Sequence, residues 1–200
     1  MNLFSENKKT ELILPDTSLD WYPNFFDEKE ANSLFIALQN TINWQQKEVL
    51  IFGKKIAQPR LTELHGDEGL SYTYSGLKWQ TNPWNKTTLY IKEKIEKETG
   101  ASFNSCLLNL YRNEKDSNGW HADNEKELGK DPIIASVSFG ASRIFSLKHN
   151  SKKEIKKQLE LSHGSLLLMN KGAQLHYKHQ IAKTTQPKDV RINLTFRYIH

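Results

Sequence analysis

The pair with the clearest chemical reading is His121-Ala-Asp123, in the stretch Gly119-Trp-His-Ala-Asp-Asn124. Residues i and i+2 on an extended segment point to the same side. An imidazole and a carboxylate placed this way offer two adjacent corners of a metal site. One more histidine would complete a two-histidine, one-carboxylate face, leaving positions of a non-haem Fe(II) open to a co-substrate and O₂. His149, His163, His176, His179 and His200 all lie downstream, and spacing does not choose among them. His-x-Asp also arises by chance on ordinary surface strands.

A second set lies in Arg191-Ile-Asn-Leu-Thr-Phe-Arg197. Strict alternation puts Arg191, Asn193, Thr195 and Arg197 on one face and Ile192, Leu194, Phe196 and Tyr198 on the other. An antiparallel strand with one wet face has this pattern. The chain has only five arginines, however, and two of them share this face with none of its 23 lysines. If the face turned inward, a dicarboxylate held by the planar forks of arginine would satisfy it. Asn109-Leu-Tyr111 forms a third i, i+2 polar pair on an otherwise apolar strand: either two side chains facing solvent or two more donors for the same anion.

Positioning these groups requires a scaffold rich in strands. Asp27 followed by Glu30 has the spacing of a capping box, and Ala31, Leu34, Phe35, Leu38 and Ile42 continue as one apolar helical stripe. A second helix is expected over 87–99, with Leu89, Ile91 and Ile95 partly inward and Gly100 as its stop. Strands are expected at 105–111, 133–139, 143–148, 165–169 and 191–199, with turns at Phe139-Gly140 and Asn170-Lys171-Gly172. Residues 48–52 and 70–74 look like a further pair, and the polar residues 1–20 like an arm or loose first strand. Two helices followed by many antiparallel strands indicate an α+β protein with a sandwich or jelly-roll barrel.

Composition bounds the rest. The chain has 200 residues, 37% hydrophobic and 26% charged, which suits one compact domain. Cys106 is its one cysteine, so no internal disulfide forms and a reducing compartment is expected. No apolar run approaches the ~20 residues of a membrane helix, and the start MNLFSENKKT lacks the apolar core of a signal peptide. A cytoplasmic monomer with no membrane association is expected. The net charge of +5 favours a polyanionic partner such as nucleic acid.

Together these residues resemble the AlkB family of Fe(II)- and 2-oxoglutarate-dependent dioxygenases, nearest its branch acting on double-stranded DNA. The resemblance covers about residues 45–200. Its blocks, in order, are Pro59-Arg60, Gly66–Gly76, Asn109-Leu-Tyr111, His121-Ala-Asp123, Ile134–Ala141, His163–Leu168 and Arg191–Arg197. It implies a double-stranded β-helix (jelly roll) with supporting helices outside. In that arrangement residues 1–45 are an N-terminal arm and helix packed on the barrel, and 46–200 are the dioxygenase core with its nucleotide lid. The iron ligands implied are His121, Asp123 and His179, with His176 not a ligand. The implied 2-oxoglutarate positions are Asn109, Tyr111, Arg191, Thr195 and Arg197.

The reaction implied is direct-reversal repair of bases such as 1-methyladenine and 3-methylcytosine in DNA. It uses Fe(II), 2-oxoglutarate and O₂ and releases succinate, CO₂ and an aldehyde. Tyr72, Thr73 and Tyr74 match lid positions around a flipped base, where aromatic stacking holds the extruded ring. Phe52, with Gly53 and Lys54, matches a hydrophobic finger that fills the vacated stack. Arg143 matches a pocket arginine near the lesion. Asn124 stands where the family commonly has an acidic residue, and an amide both donates and accepts where a carboxylate only accepts. The basic stretch from Lys148 to Lys157 stands where relatives carry a DNA-gripping loop; a solvated hairpin fits it equally well. Two alternatives share this scaffold: a dioxygenase acting on RNA or protein, and a non-catalytic module that binds damaged DNA.

Overall fold

The structure, a computed structural model, describes residues 9–51, 54–74 and 77–200; the side chains at 50, 51, 72–74, 77 and 78 are outside that description. In chain order the elements are β1 (Thr10–Leu14), β2 (Thr17–Tyr22), α1 (Glu28–Thr41), β3 (Glu48–Ile51), β4 (Lys54–Ala57), β5 (Leu61–Gly66), β6 (Ser71–Tyr74), β7 (Leu77–Gln80) and α2 (Lys86–Thr99). Then follow β8 (Ser105–Tyr111), β9 (Asn118–His121), β10 (Ile134–Gly140), β11 (Arg143–His149), β12 (Lys156–Leu161), β13 (Ser165–Met169), the single turn α3 (Ala173–His176), β14 (Tyr177–Ile181) and β15 (Arg191–Arg197).

A seven-stranded sheet runs β1-β2-β13-β10-β15-β8-β5, and a four-stranded sheet runs β12-β11-β14-β9. Four central strands of the first sheet and all four of the second form an eight-stranded jelly roll. One apolar cluster joins the outer face of the large sheet (Leu108, Val137, Leu166, Leu194, Phe196) to α1 and α2 through Leu34, Leu38, Ile91 and Ile95. A second cluster lies between the sheets and includes Tyr111, Phe145, Leu147, Leu161 and Ile181. The large sheet is therefore covered on both faces, and every residue of β15 is buried. The alternation in β15 separates a greasy face under the helices from a polar face turned into the barrel, with no wet face.

Local signals account for the helices. Asp27 Oδ1 accepts from the Glu30 N–H at 2.8 Å, a cap that contributes about 1 kcal/mol. The Glu30 carboxylate does not complete the box; it reaches across to Lys94 Nζ at 2.6 Å and to the Tyr90 hydroxyl. In α2 the full box forms between Asn85 and Thr88, and Gly100 ends the helix at φ 69°. Leu89, expected to be partly inward, is instead 38% exposed. Thr88 takes the inward position because its side chain closes the box and meets His65 Nδ1 at 3.1 Å.

Residues 48–51 and 71–74 do not pair with each other: β3 pairs with β4 and β6 with β7. The expected loose N-terminal strand is a hairpin that extends the large sheet through β2 and β13. Gly172 lets it sit close. At φ +89° an added Cβ would lie 2.0 Å from the Asp16 carbonyl oxygen.

Candidate active site

Strand register assembles the site. His179 on β14 lies directly opposite His121 on β9, which sets their ring centroids 4.3 Å apart. Asp123, just past the end of β9, brings Oδ1 to 3.9 Å from His121 Nε2. One ligand atom from each of the three falls within 4.8 Å of the others.

Hydrogen bonding prepares each of them. His121 Nδ1–H donates to the Gly119 carbonyl at 2.7 Å. The lone pair therefore resides on Nε2, where it accepts from Asn118 Nδ2 at 3.1 Å. Anchoring the far ring nitrogen on a carbonyl fixes the tautomer a metal needs. No hydrogen bond among the described residues occupies a ring nitrogen of His179. Arg197 Nη2 donates to Asp123 Oδ1 at 2.9 Å, and the Asp123 N–H is held by Gln174 Oε1 at 2.8 Å.

Burial would raise the Asp123 carboxyl, but Arg197, His121 and His179 outweigh it and hold the group at about 2. Burial, reinforced by His121 and Arg197, lowers His179 to about 3. His121 is lowered as well, chiefly by burial. Near neutral pH the trio is thus a carboxylate and two neutral imidazoles, the protonation state in which all three can ligate. Two imidazole nitrogens and a carboxylate fit a non-haem Fe(II) face, with Arg197 held on one oxygen of that carboxylate.

One cavity between the sheets brings the trio together with all five residues expected to hold the co-substrate. Arg191 faces Tyr111 across β15 and β8, and Asn193 faces Asn109. Asn109 and Tyr111 are both buried, so neither is the solvent-facing side chain its strand pattern allowed. Arg191 is 1% exposed. Its Nη2 donates to Ser138 Oγ at 2.9 Å, while among the described residues Nε and Nη1 have no hydrogen-bond partner. Burial lowers this guanidinium to about 10, against the pull of Tyr111, whose ring lies 5.0 Å away. A buried cation with two orphaned donors calls for an anion, and a carboxylate matches its fork. Asn193 Nδ2 donates to Ser136 Oγ and the Val137 carbonyl, both at 2.9 Å, and Thr195 Oγ1 donates to Asn193 Oδ1 at 3.1 Å.

The residues expected to touch substrate are placed differently. Lys54 is exposed on β4, and Asn124 is exposed beside Asp123. Arg143 is buried, and its guanidinium donates to three backbone carbonyls: Asp116 at 2.9 Å, Ala182 at 2.6 Å and Asn113 at 3.3 Å. Phe52 and Gly53 lie outside the described residues, as do the side chains of Tyr72, Thr73 and Tyr74. Two contributors had no role assigned from sequence. Arg60 Nε donates to Asn109 Oδ1 at 2.7 Å, and its scarcity as one of five arginines was the available signal. Gln174 had no signal, since α3 brings it to Asp123 from 51 residues away.

A second cluster of similar composition, Asp16, His149 and His176, also places its ligand atoms within 4.8 Å of one another. Here His149 Nδ1 accepts from the Ser151 and Lys152 N–H groups at 3.1 and 3.0 Å. The ring proton must then sit on Nε2, which donates to Asp16 Oδ2 at 3.0 Å. Lys152 Nζ occupies the same oxygen at 2.8 Å. This is a hydrogen-bonded knot between the N-terminal hairpin and the turn after β11.

The fold and this site define a class: iron-dependent oxygenases that use 2-oxoglutarate. The sequence model of the 2OG-Fe(II) oxygenase superfamily matches residues 18–197. Alpha-ketoglutarate-dependent dioxygenase alkB homolog 3 of Bos taurus is 42% identical over 187 residues, covering 89% of this chain and 65% of its own length. DNA oxidative demethylase ALKBH2 of Homo sapiens is 36% identical over 188 residues, covering 89% of this chain and 72% of its own. The solved structure of OsALKBH1 superposes with a TM-score of 0.68 at 15% identity, over 94% of this chain and 100% of that one, and shares the fold. The chain belongs to the AlkB family of 2OG-Fe(II) oxygenases. It spans 65% of the length of the bovine alkB homolog 3. No helix among the described residues is long and apolar enough to cross a membrane.

Proposed function

We propose that the protein removes N-alkyl groups from bases in nucleic acid, with Fe(II) held by His121, Asp123 and His179 and 2-oxoglutarate held in the adjoining cavity. The observation that carries this reading is the buried Arg191, with two unpartnered nitrogens, in the same cavity as the His–Asp–His trio. Arg191 binds the distal carboxylate of the co-substrate, helped by Tyr111 and Thr195, and Asn109 is held in place by Arg60. Arg197 acts through Asp123, fixing which oxygen faces the metal. When bound, Fe(II) with 2-oxoglutarate and O₂ supplies the oxidation: decarboxylation to succinate and CO₂ is coupled to hydroxylation of the N-alkyl carbon, which leaves as an aldehyde. No side chain need act as a strong acid or base; the chain supplies ligands, clamp and pocket.

On the substrate side we assign the lid to Tyr72, Thr73 and Tyr74, the finger to Phe52 with Gly53 and Lys54, and a lesion-facing amide to Asn124. Arg143 supports the pocket by bracing the 113–116 and 182 segments. Resemblance to the family and the names of the relatives support this assignment. DNA is the substrate we favour, with RNA as the other nucleic acid to compare.

The test incubates the protein with Fe(II), 2-oxoglutarate and matched single- and double-stranded DNA and RNA carrying 1-methyladenine. Mass spectrometry then follows the methyl group. Loss that depends on 2-oxoglutarate and disappears in Arg191→Met supports the reading. Succinate formation with no methyl loss on any strand would overturn the substrate assignment.

A further inference from the structure

The metal-facing nitrogen of His121 has a partner of its own, and β9 is bent to supply it. Asn118 and His121 are three residues apart, so on a regular strand their side chains would leave opposite faces. The pairing of β9 with β14 is not regular. His121 lies opposite His179 and Asn118 opposite Ile181, so three steps along β9 match two along β14. An extra residue of this kind is a β-bulge, which re-aims a side chain. Here it restores the parity. Asn118 and His121 line the same cavity, while Trp120 between them stands exposed.

The same bulge grips the His121 ring at both nitrogens. Nδ1–H donates to the Gly119 carbonyl at 2.7 Å, and Nε2 accepts from Asn118 Nδ2 at 3.1 Å. The two contacts differ in consequence. The carbonyl binds the nitrogen a metal does not use and fixes the tautomer. The amide binds the lone pair a metal needs, and that nitrogen has only one. Among the described residues no hydrogen bond guards His179 in this way, and Arg197 takes a single oxygen of Asp123.

We infer that Asn118 is a placeholder for the metal: it holds the lone pair of His121 until Fe(II) displaces it, and so sets how tightly the site holds iron. The inference rests on the reading of His121, Asp123 and His179 as the iron ligands. Its sign follows from which contact is lost. Metal binding must break the amide contact, so the free energy of that hydrogen bond opposes it. Replacing the amide leaves the Gly119 carbonyl in place, and with it the tautomer and the ring orientation. Iron should therefore bind more tightly without Asn118, the opposite of what loss of a supporting residue does. For the enzyme the consequence is an exchangeable metal, because departing iron leaves a nitrogen that the amide satisfies again.

The test measures Fe(II) affinity anaerobically, by competition with a chromogenic chelator, without 2-oxoglutarate or nucleic acid. Metal-free wild type is compared with Asn118→Leu, Asn118→Val and Gln180→Leu. Leucine keeps the size of asparagine without its donor, and Gln180 lines the same cavity. A matching thermal unfolding midpoint checks that each variant folds. Both Asn118 variants are expected to bind iron about 3–10-fold more tightly and to release it more slowly, with Gln180→Leu within about twofold of wild type. Imidazole nitrogen NMR of the metal-free protein gives a second readout: in Asn118→Leu the His121 Nε2 resonance should move while the proton stays on Nδ1. Weaker or unchanged iron binding in both Asn118 variants, an equal gain in Gln180→Leu, or an inverted His121 tautomer would overturn the inference. Failure of the wild type to bind iron would overturn the ligand assignment, and the placeholder with it.

Discussion

Two clusters among the described residues contain the same parts, two imidazoles and a carboxylate within 4.8 Å, and their hydrogen bonding differs at the ring nitrogen that prepares a histidine for a metal. In the His121–Asp123–His179 cluster the far nitrogen of His121 donates to a backbone carbonyl, which turns a lone pair toward the centre. In the Asp16–His149–His176 cluster the far nitrogen of His149 accepts from backbone N–H groups, which turns a proton toward the centre. The carboxylates differ as well. Arg197 approaches Asp123 inside the barrel, where both are almost wholly buried, whereas Lys152 caps a partly exposed Asp16. Residue types and distance nominate a metal site; the partner of the second ring nitrogen decides whether it is one.

The largest effect should come from exchanging one histidine of each cluster for alanine. His179→Ala should lose iron binding and drop turnover below detection, while His176→Ala keeps most of both. Metal content and succinate release measure this, and the reverse pattern would invert the comparison. Next in size is the arginine behind the carboxylate. Arg197→Ala leaves Asp123 buried without its partner and should weaken metal affinity by about 10–100-fold. Lys152→Ala, at the corresponding place in the other cluster, should leave metal affinity unchanged. Arg191→Met separates the two arginines of β15: it should retain the metal but bind 2-oxoglutarate too weakly to saturate.

Smaller effects belong to the knot. His149→Ala strands the two N–H groups that its ring accepts from, a loss of about 1–3 kcal/mol. For a chain of this size that lowers the melting temperature by several degrees at most per kcal/mol, about 2–4 °C. Iron content should not change. Smallest is an acid effect. Lys152 first, and then His149, lower the Asp16 carboxyl from 3.8 to about 2. Its contribution to stability is therefore present above about pH 4 and lost as the pH falls through about 2. Asp16→Asn should remove this part of the acid dependence. An identical pH profile for the two proteins would show that the pairing contributes nothing.

The sequence made the barrel legible from Ser105 onward, because β8, β10, β11, β13 and β15 are apolar enough to announce themselves. It did not reveal β12, whose Lys-Lys-Gln-Leu-Glu-Leu segment is largely exposed at a sheet edge, or β5, whose buried side chains include Thr62, Glu63 and His65. Within the site, local order was legible: His121 with Asp123, and the alternating polar face of β15. The third member of the cluster was not legible from spacing, because His179 meets His121 through the pairing of β14 with β9 across 58 residues of chain. Leu89 misled for a local reason, since a threonine closing a capping box took the inward position.

The most direct measurement is the iron content of metal-free protein after anaerobic titration with Fe(II) and desalting, for wild type, His179→Ala and Asp16→Asn/His176→Ala. About one iron per chain in the wild type and in the double variant, with almost none in His179→Ala, is the predicted result. Two irons in the wild type, retention in His179→Ala, or loss in the double variant would contradict the assignment of one cluster to the metal and the other to the fold.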